Sequence, residues 1–205
     1  MLTPRMRWAR EIQSIAQTGL SYAINPYDIE RYTRLGRIAA EMMANDDPFE
    51  IERLATLFAS QVGHATPKID TRAAIFQGDT VLLVQGSDDG EWSLPGGWAD
   101  PGESPSEAIA REVHEEAGYT VNVDRLLALY DRDRHPHPPL EFHVFKLIFD
   151  CTITGGEPTT SLETSAVRFF PLSDLPPLSL TRVLPQQIAR SFELHQHPEW
   201  GTEFD

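Results

Sequence analysis

Cysteine is almost absent: Cys151 stands alone among 205 residues, so no disulfide can form within the chain, and a reducing cytoplasm is the simplest expected setting. Its neighbours, Phe149-Asp150-Cys151-Thr152-Ile153, read as a strand, and none of them would lower a thiol pKa. Cys151 therefore reads as a packing residue rather than a nucleophile. Long apolar runs are missing too. No stretch approaches the roughly 18 residues of a spanning helix, and the opening MLTPRMRWAR lacks the continuous apolar segment of a secretory signal. No membrane partner is expected. Basic residues are scarce, 17 Lys and Arg against 31 Asp and Glu, which gives a net charge of −14. Residues 1–64 hold 7 of the basic and 8 of the acidic residues, so nearly all of the excess lies beyond them. That excess would repel a phosphate backbone and argues against general nucleic-acid binding. A small nucleotide remains admissible, because a bound divalent cation changes the local charge.

Two regions differ in pattern. The first reads as helices over Pro4 to Thr18, Pro26 to Ala44 and Pro48 to Val62, with Trp8, Ile12, Ile15 and Ala16 as an apolar stripe and Asn25-Pro26 and Asp47-Pro48 as helix starts. Such helices leave much apolar surface for packing on a second domain or a second subunit. From Lys68 the pattern changes to short strand-like runs: Arg72 to Phe76, Val81 to Gln85, Trp92 to Leu94, Val121 to Tyr130, Glu141 to Ile153 and Val167 to Pro171, with a last helix from Thr181 to His195. The expected organisation is an all-helical domain over 1–66 and a second domain over 67–205. The second is expected to be α/β (α+β), an α/β/α sandwich on a mixed sheet.

The richest stretch is GWADPGESPSEAIAREVHEEAGY, residues 97–119. Ser104-Pro105-Ser106-Glu107 is a capping box with proline at the first helical position, and Gly118 suits a left-handed closure, so a helix runs from about Ser104 to Ala117. At about 100° per residue, Ile109, Ala110, Val113 and Ala117 share one arc, and Glu112, Glu115 and Glu116 border it. Carboxylates three and four residues apart repel by roughly 0.2–0.5 kcal/mol per pair. One account is a solvated acidic face. The other starts from the border position and from the preceding loop Leu94-Pro95-Gly96-Gly97, whose carbonyls are accessible to a ligand. Clustered carboxylate and carbonyl oxygens suit Mg²⁺, with Mn²⁺ as the alternative, and point to metal-assisted attack on a phosphate ester or anhydride.

Gly97, Glu103 and Arg111-Glu112-Val113-His114-Glu115-Glu116-Ala117-Gly118-Tyr119 resemble the Nudix box, G-x5-E-x7-R-E-U-x-E-E-x-G-U, where U is a bulky apolar residue. Tyr119 is the soft match, being aromatic where aliphatic residues are commoner. The flanks, Trp8 to Leu20, Tyr27-Asp28-x-Glu30-Arg31-Tyr32, Asp131-Arg132-x-x-His135-x-His137-Pro138-Pro139, Lys146 and Asp174 to Ser179, resemble a bacterial Nudix subfamily with a helical N-terminal domain that acts on X-linked nucleoside diphosphates. That resemblance implies a cytoplasmic homodimer and a Mg²⁺-dependent pyrophosphohydrolase. The substrate it points to is CDP-choline, cleaved to CMP and phosphocholine; ADP-ribose is an alternative, as is a nucleoside triphosphate. A nucleotide-sensing regulator without activity is the non-enzymatic alternative, disfavoured by the intact box.

The resemblance also implies residue roles. Glu112 and Glu116 are the expected metal ligands, with Glu115 sharing the cluster and the Gly96 carbonyl beside them. Arg111 is expected to pair with Glu103 and so hold loop against helix. A general base from outside the box is Glu163, with Glu157 behind it. Trp92 and Trp98 flank the loop; packing, or stacking on a base, is the preferred reading of both, and a face for a quaternary ammonium is the alternative. Arg132, Arg134, His135 and His137 form a loop that meets either the substrate or a dimer surface. His195 and His197 read as solvated histidines at a helix end rather than a metal pair.

Overall fold

The computed structural model describes residues 2–205. The chain forms two compact units. One comprises the residues up to Pro67 together with Pro139–His143, and the other Lys68–Pro138 with Val144–Asp205.

The first unit is helical: α1 (Pro4–Tyr22), α2 (Pro26–Met43) and α3 (Pro48–Ser60). Each begins with proline behind a polar cap that satisfies an otherwise unpaired amide of the first turn. Thr3 Oγ1 accepts from the Met6 amide at 3.3 Å, Asn25 Oδ1 from Tyr27 at 2.9 Å and Asp47 Oδ1 from Phe49 at 2.9 Å. Its core is small, with Ala39, Ala40 and Ala44 against Leu54 and Phe58. Tyr22, Ile24, Tyr27, Phe49 and Val62 consequently remain exposed. Glu141 to His143, expected to open a strand, instead cluster with this unit. The Leu140 carbonyl accepts from Arg10 of α1, and Glu141 pairs with Arg53 of α3.

The second unit contains β1 (Lys68–Ala74), β2 (Phe76–Gln77), β3 (Thr80–Gly86), β4 (Trp92–Ser93), α4 (Pro105–Ala117), β5 (Tyr119–Asp131), β6 (Val144–Gly156), β7 (Thr164–Pro171), α5 (Pro185–Gln196) and β8 (Glu203–Phe204). One sheet is mixed, in the order β1-β6-β5-β8, with β1 parallel to β6 and β5 antiparallel to it. The other is antiparallel, with β3 pairing β2, β4 and β7. Alternation along the strands separates two apolar layers. Ala73, Ile75, Leu82 and Val84 meet Ile109, Val113 and Ala117 of α4, whereas Ala74, Val81 and Leu83 meet Ile188 and Leu194 of α5. Each fully buried aliphatic side chain contributes about 1.5–3 kcal/mol, so both helices are held by their apolar arcs. The result is an α/β/α sandwich, in the α+β class.

The last helix starts later than the expected Thr181. Pro185 has no amide to donate and takes the first helical position, and the Leu184 amide is satisfied by the Gln187 side chain at 3.1 Å. Residues 178–184 are thereby left as a non-helical segment beside β4, where the Ser179 amide donates to the Trp92 carbonyl at 2.8 Å. No described helix is long and apolar enough to cross a membrane.

Candidate active site

Helix α4 carries the acidic cluster, and both of its ends are fixed locally. Ser104 Oγ accepts from the Glu107 amide at 3.3 Å, while Glu107 accepts from the Ser104 amide at 2.8 Å. At the other end Gly118 has φ 77°, and its amide donates to the His114 carbonyl at 3.0 Å. A side chain there would be strained and would also meet the Glu157 carbonyl at 2.4 Å.

The loop before the helix lies along the free edge of β1. The Thr71 amide donates to the Gly97 carbonyl and the Ala73 amide to that of Pro95, both at 2.8 Å. Gly96 lies between these two anchors. Gly96 has φ 138°, and a Cβ there would sit 2.0 Å from the Thr71 carbonyl oxygen. Only glycine fits. The Gly96 amide donates to Glu116 Oε2 at 2.7 Å, and a Cβ on Gly97 would come within 3.0 Å of the Glu112 carboxylate.

Loop and helix enclose a cavity of about 660 Å³ lined by Arg72, Gly96, Glu112, Glu116, Glu163 and Arg182 among others. Burial pushes the Glu116 carboxyl up to about 7, with Glu112 and Glu163 adding to the rise and Arg72 and the Gly96 amide opposing it. Burial also raises Glu112, against the pull of Arg111 and Arg72. A bound cation would offset the cost of ionising these two partly buried carboxylates. With Gly96 in the same lining, they are the residues that could hold a hard divalent ion here.

Arg111 forks onto Glu103 at 2.8 and 3.0 Å, and its remaining nitrogen reaches Glu112 at 3.0 Å and Glu115 at 2.9 Å. Its hydrogen bond holds Glu103 below the usual carboxylate range. Glu115 and Trp98 both line the cavity, Trp98 half exposed near Asp100. Glu163 reaches the cluster from the loop before β7, anchored by its carbonyl accepting from the Ser87 amide at 2.8 Å. Glu157, packed at Gly118, is not among the lining residues.

Five of the residues offered for substrate contact lie elsewhere. Trp92 is 9% exposed and packs edge-on against Phe170 at 4.6 Å, because in register with Gln85 its side chain falls on the core face of β4; Ser93 next to it lines a second cavity. Arg132 and His137 are buried, the first donating to the Thr181 carbonyl at 3.3 Å and the second hydrogen-bonded to that of Leu180 at 2.7 Å. His135 packs on Tyr130 and pairs with Asp205 at 3.2 Å. Arg134 is exposed near Asp131. His195 and His197 are exposed at the end of α5, as expected, and each also hydrogen-bonds a carboxylate, Asp150 at 2.8 Å and Glu199 at 3.0 Å. Cys151 is buried in the α4 layer, with its thiol pushed up to about 12 by burial.

Two cations of the site were absent from the sequence expectations. Arg72 comes from β1. Arg182, from the segment before α5, lines both the main cavity and the second one of about 300 Å³, and is held by Asp88 at 2.7 Å and Asp89 at 3.2 Å. Nothing local marks either as functional; an arginine two residues after an aspartate on a buried strand was the available signal for Arg72.

Among known proteins, the profile of the NUDIX domain matches residues 66–191, more than half of the chain. The chain belongs to the Nudix family. A second profile, described as a UDP-X-like, N-terminal oligomerisation domain, matches residues 4–58 of this Nudix hydrolase. It is 40% identical over the full length of both chains to the "Putative ADP-ribose pyrophosphatase YjhB" of Bacillus subtilis (strain 168). The crystal structure of a UDP-X diphosphatase covers 97% of both chains at 31% identity and a TM-score of 0.65. That of an ADP-ribose pyrophosphatase from Streptococcus suis 89-1591 covers 68% of this chain and all of its own, at 45% identity and a TM-score of 0.63.

Proposed function

We propose that this Nudix hydrolase cleaves the pyrophosphate bond of a nucleoside diphosphate linked to X, with Mg²⁺ as its cofactor and Mn²⁺ as a substitute. The observation that carries this is the gathering of Glu112, Glu116 and Glu163 around one cavity with Arg72 and Arg182. Carboxylates alone would repel a pyrophosphate. Carboxylates with two guanidinium groups accept it once a cation is present.

Glu112, Glu116 and the Gly96 carbonyl would hold the cation, with Glu115 at the rim, where Arg111 restrains it. When bound, the cation polarises the phosphoryl oxygens, lowers the pKa of water and neutralises the leaving phosphate. Glu163 accepts the proton of the attacking water; the oxygen joins one phosphorus as the bridging P–O bond breaks, giving a nucleoside monophosphate and phospho-X. Arg111 and Glu103 keep the Gly96 loop seated on α4.

ADP-ribose is the leading substrate, on the names of the full-length relative and of the S. suis structure. A second reading, CDP-choline, is favoured by half-exposed Trp98 near Asp100 in the cavity, an aromatic face and an acid suited to a quaternary ammonium. A panel of ADP-ribose, a UDP-sugar, CDP-choline and nucleoside triphosphates, with Mg²⁺ or Mn²⁺ in ¹⁸O-water and products resolved by mass, decides between them. Release of inorganic pyrophosphate from triphosphates alone would overturn the reading. The exposed apolar side chains of the helical domain support a homodimer of cytoplasmic chains; light scattering that returns the mass of one chain at micromolar concentration would refute it.

A further inference from the structure

Lys146 is one of two lysines in the chain, and it is only 1% exposed. A buried ammonium is costly unless paired. Its partner is Asp70, directly opposite it in the parallel register of β1 and β6 and 3% exposed. One carboxylate oxygen of Asp70 accepts from Lys146, and the other accepts from Arg72 Nε at 3.1 Å and Nη2 at 2.8 Å. Burial raises the Asp70 carboxyl, but Arg72 and Lys146 outweigh that and hold it below the usual range. Arg72 Nη1 donates to the Leu94 carbonyl at 3.2 Å. Two cations thus share one anion, leaving a positive excess, and Arg72 is the member of the trio that lines the active-site cavity.

The aim of Arg72 is fixed. Three of its five N–H groups are engaged, and one on each terminal nitrogen is left, a fork that suits two phosphate oxygens. In front of it are Glu112 and Glu116, whose carboxyls it draws down against burial. Without ligands, Arg72 shares with Arg111 the role of their countercharge. A divalent cation on those carboxylates takes over that role and leaves a guanidinium facing a metal ion across a partly buried space, which is repulsive. An anion between the two turns the repulsion into attraction on both sides.

We propose that Arg72 contacts the pyrophosphate and makes metal and substrate binding interdependent: its guanidinium opposes the cation while substrate is absent and clamps the phosphates once both are present. This rests on the pyrophosphohydrolase reading above and extends it. A residue that merely braced the loop would not weaken metal binding.

The test measures Mn²⁺ affinity by electron paramagnetic resonance without nucleotide, and steady-state turnover on the best substrate of the panel, in the full chain with Arg72→Met and Arg72→Lys. Arg72→Met is expected to bind Mn²⁺ at least threefold more tightly while kcat/KM falls at least a hundredfold. Arg72→Lys keeps the charge, so Mn²⁺ affinity stays within twofold of wild type, but it loses the fork and at least tenfold in kcat/KM. Unchanged or weaker Mn²⁺ binding by Arg72→Met, or turnover within threefold of wild type, overturns the proposal. Should Arg72→Met fail to fold, undiminished kcat/KM in Arg72→Lys overturns it alone. A wild-type chain inactive on every diphosphate substrate would instead refute the proposed function, while the Mn²⁺ comparison would still decide whether Arg72 opposes the cation.

Discussion

Glu116 sets burial against partners that favour its charge. Its carboxyl is drawn up to about 7 by burial, yet the Gly96 amide and Arg72 face it as if it were charged. A bound cation would resolve the conflict. Glu116→Gln keeps an oxygen for the Gly96 amide and removes the charge, so turnover is expected to fall by about three orders of magnitude or more if the carboxylate is a metal ligand. The melting temperature should stay level or rise, because a buried charge is relieved. Steady-state assays with Mg²⁺ and a thermal melt of the metal-free protein check both halves, and retained turnover would remove Glu116 from the ligand set. At this scale the sequence was informative wherever a role is written into spacing along one helix, as for Glu112, Glu116 and Arg111. It left Trp92 open between packing and a ligand face, since whether a strand residue faces cavity or core depends on the parity of its pairing with a distant strand.

Helix α4 is the element that organises the site, and its boundaries are set by its own residues. Ser104, Pro105 and Glu107 close the start and Gly118 the end, so this element was legible before any tertiary contact was known. Ser104→Ala is expected to cost about 1 kcal/mol, read as a shift in the urea midpoint at constant slope. Activity at saturating Mg²⁺ should change little, because Glu112 and Glu116 lie two or more turns further on and are held by Arg111 and the Gly96 amide. A loss of activity much larger than the loss of stability would mean that the first turn aims the carboxylates. Elements whose limits depend on partners were less legible. Glu141 was drawn out of an expected strand by Arg53, and the start of α5 was moved by Pro185 with the side-chain cap of Gln187.

For the whole molecule, acid stability follows from buried groups. His137 is held neutral, its pKa lowered to about 4 by burial and then by Lys146, Arg132 and His135, although its bond to the Leu180 carbonyl works the other way. An unfolded chain binds a proton at this residue near pH 6.5, and the folded chain does not until about 4. Stability contributed by a neutral His137 is therefore present above 6.5 and lost as pH falls through that window, by on the order of 2 kcal/mol. Asp70, held low, adds a further loss below its ordinary range near pH 3.8. Urea unfolding at steps from pH 7 to 4 should show the decline, and His137→Phe should flatten its upper part; an equal slope in both proteins would show that His137 does not carry it.

By itself the sequence determined the helical capping, the order of helical and strand-like segments and the reaction class, because each depends on residues close to one another along the chain. Tertiary structure alone decided which cations meet the carboxylates. Arg72, Lys146 and Arg182 come from separate strands and a loop, and the charge balance of a partly buried site is fixed by distance in space, which spacing along the chain does not encode.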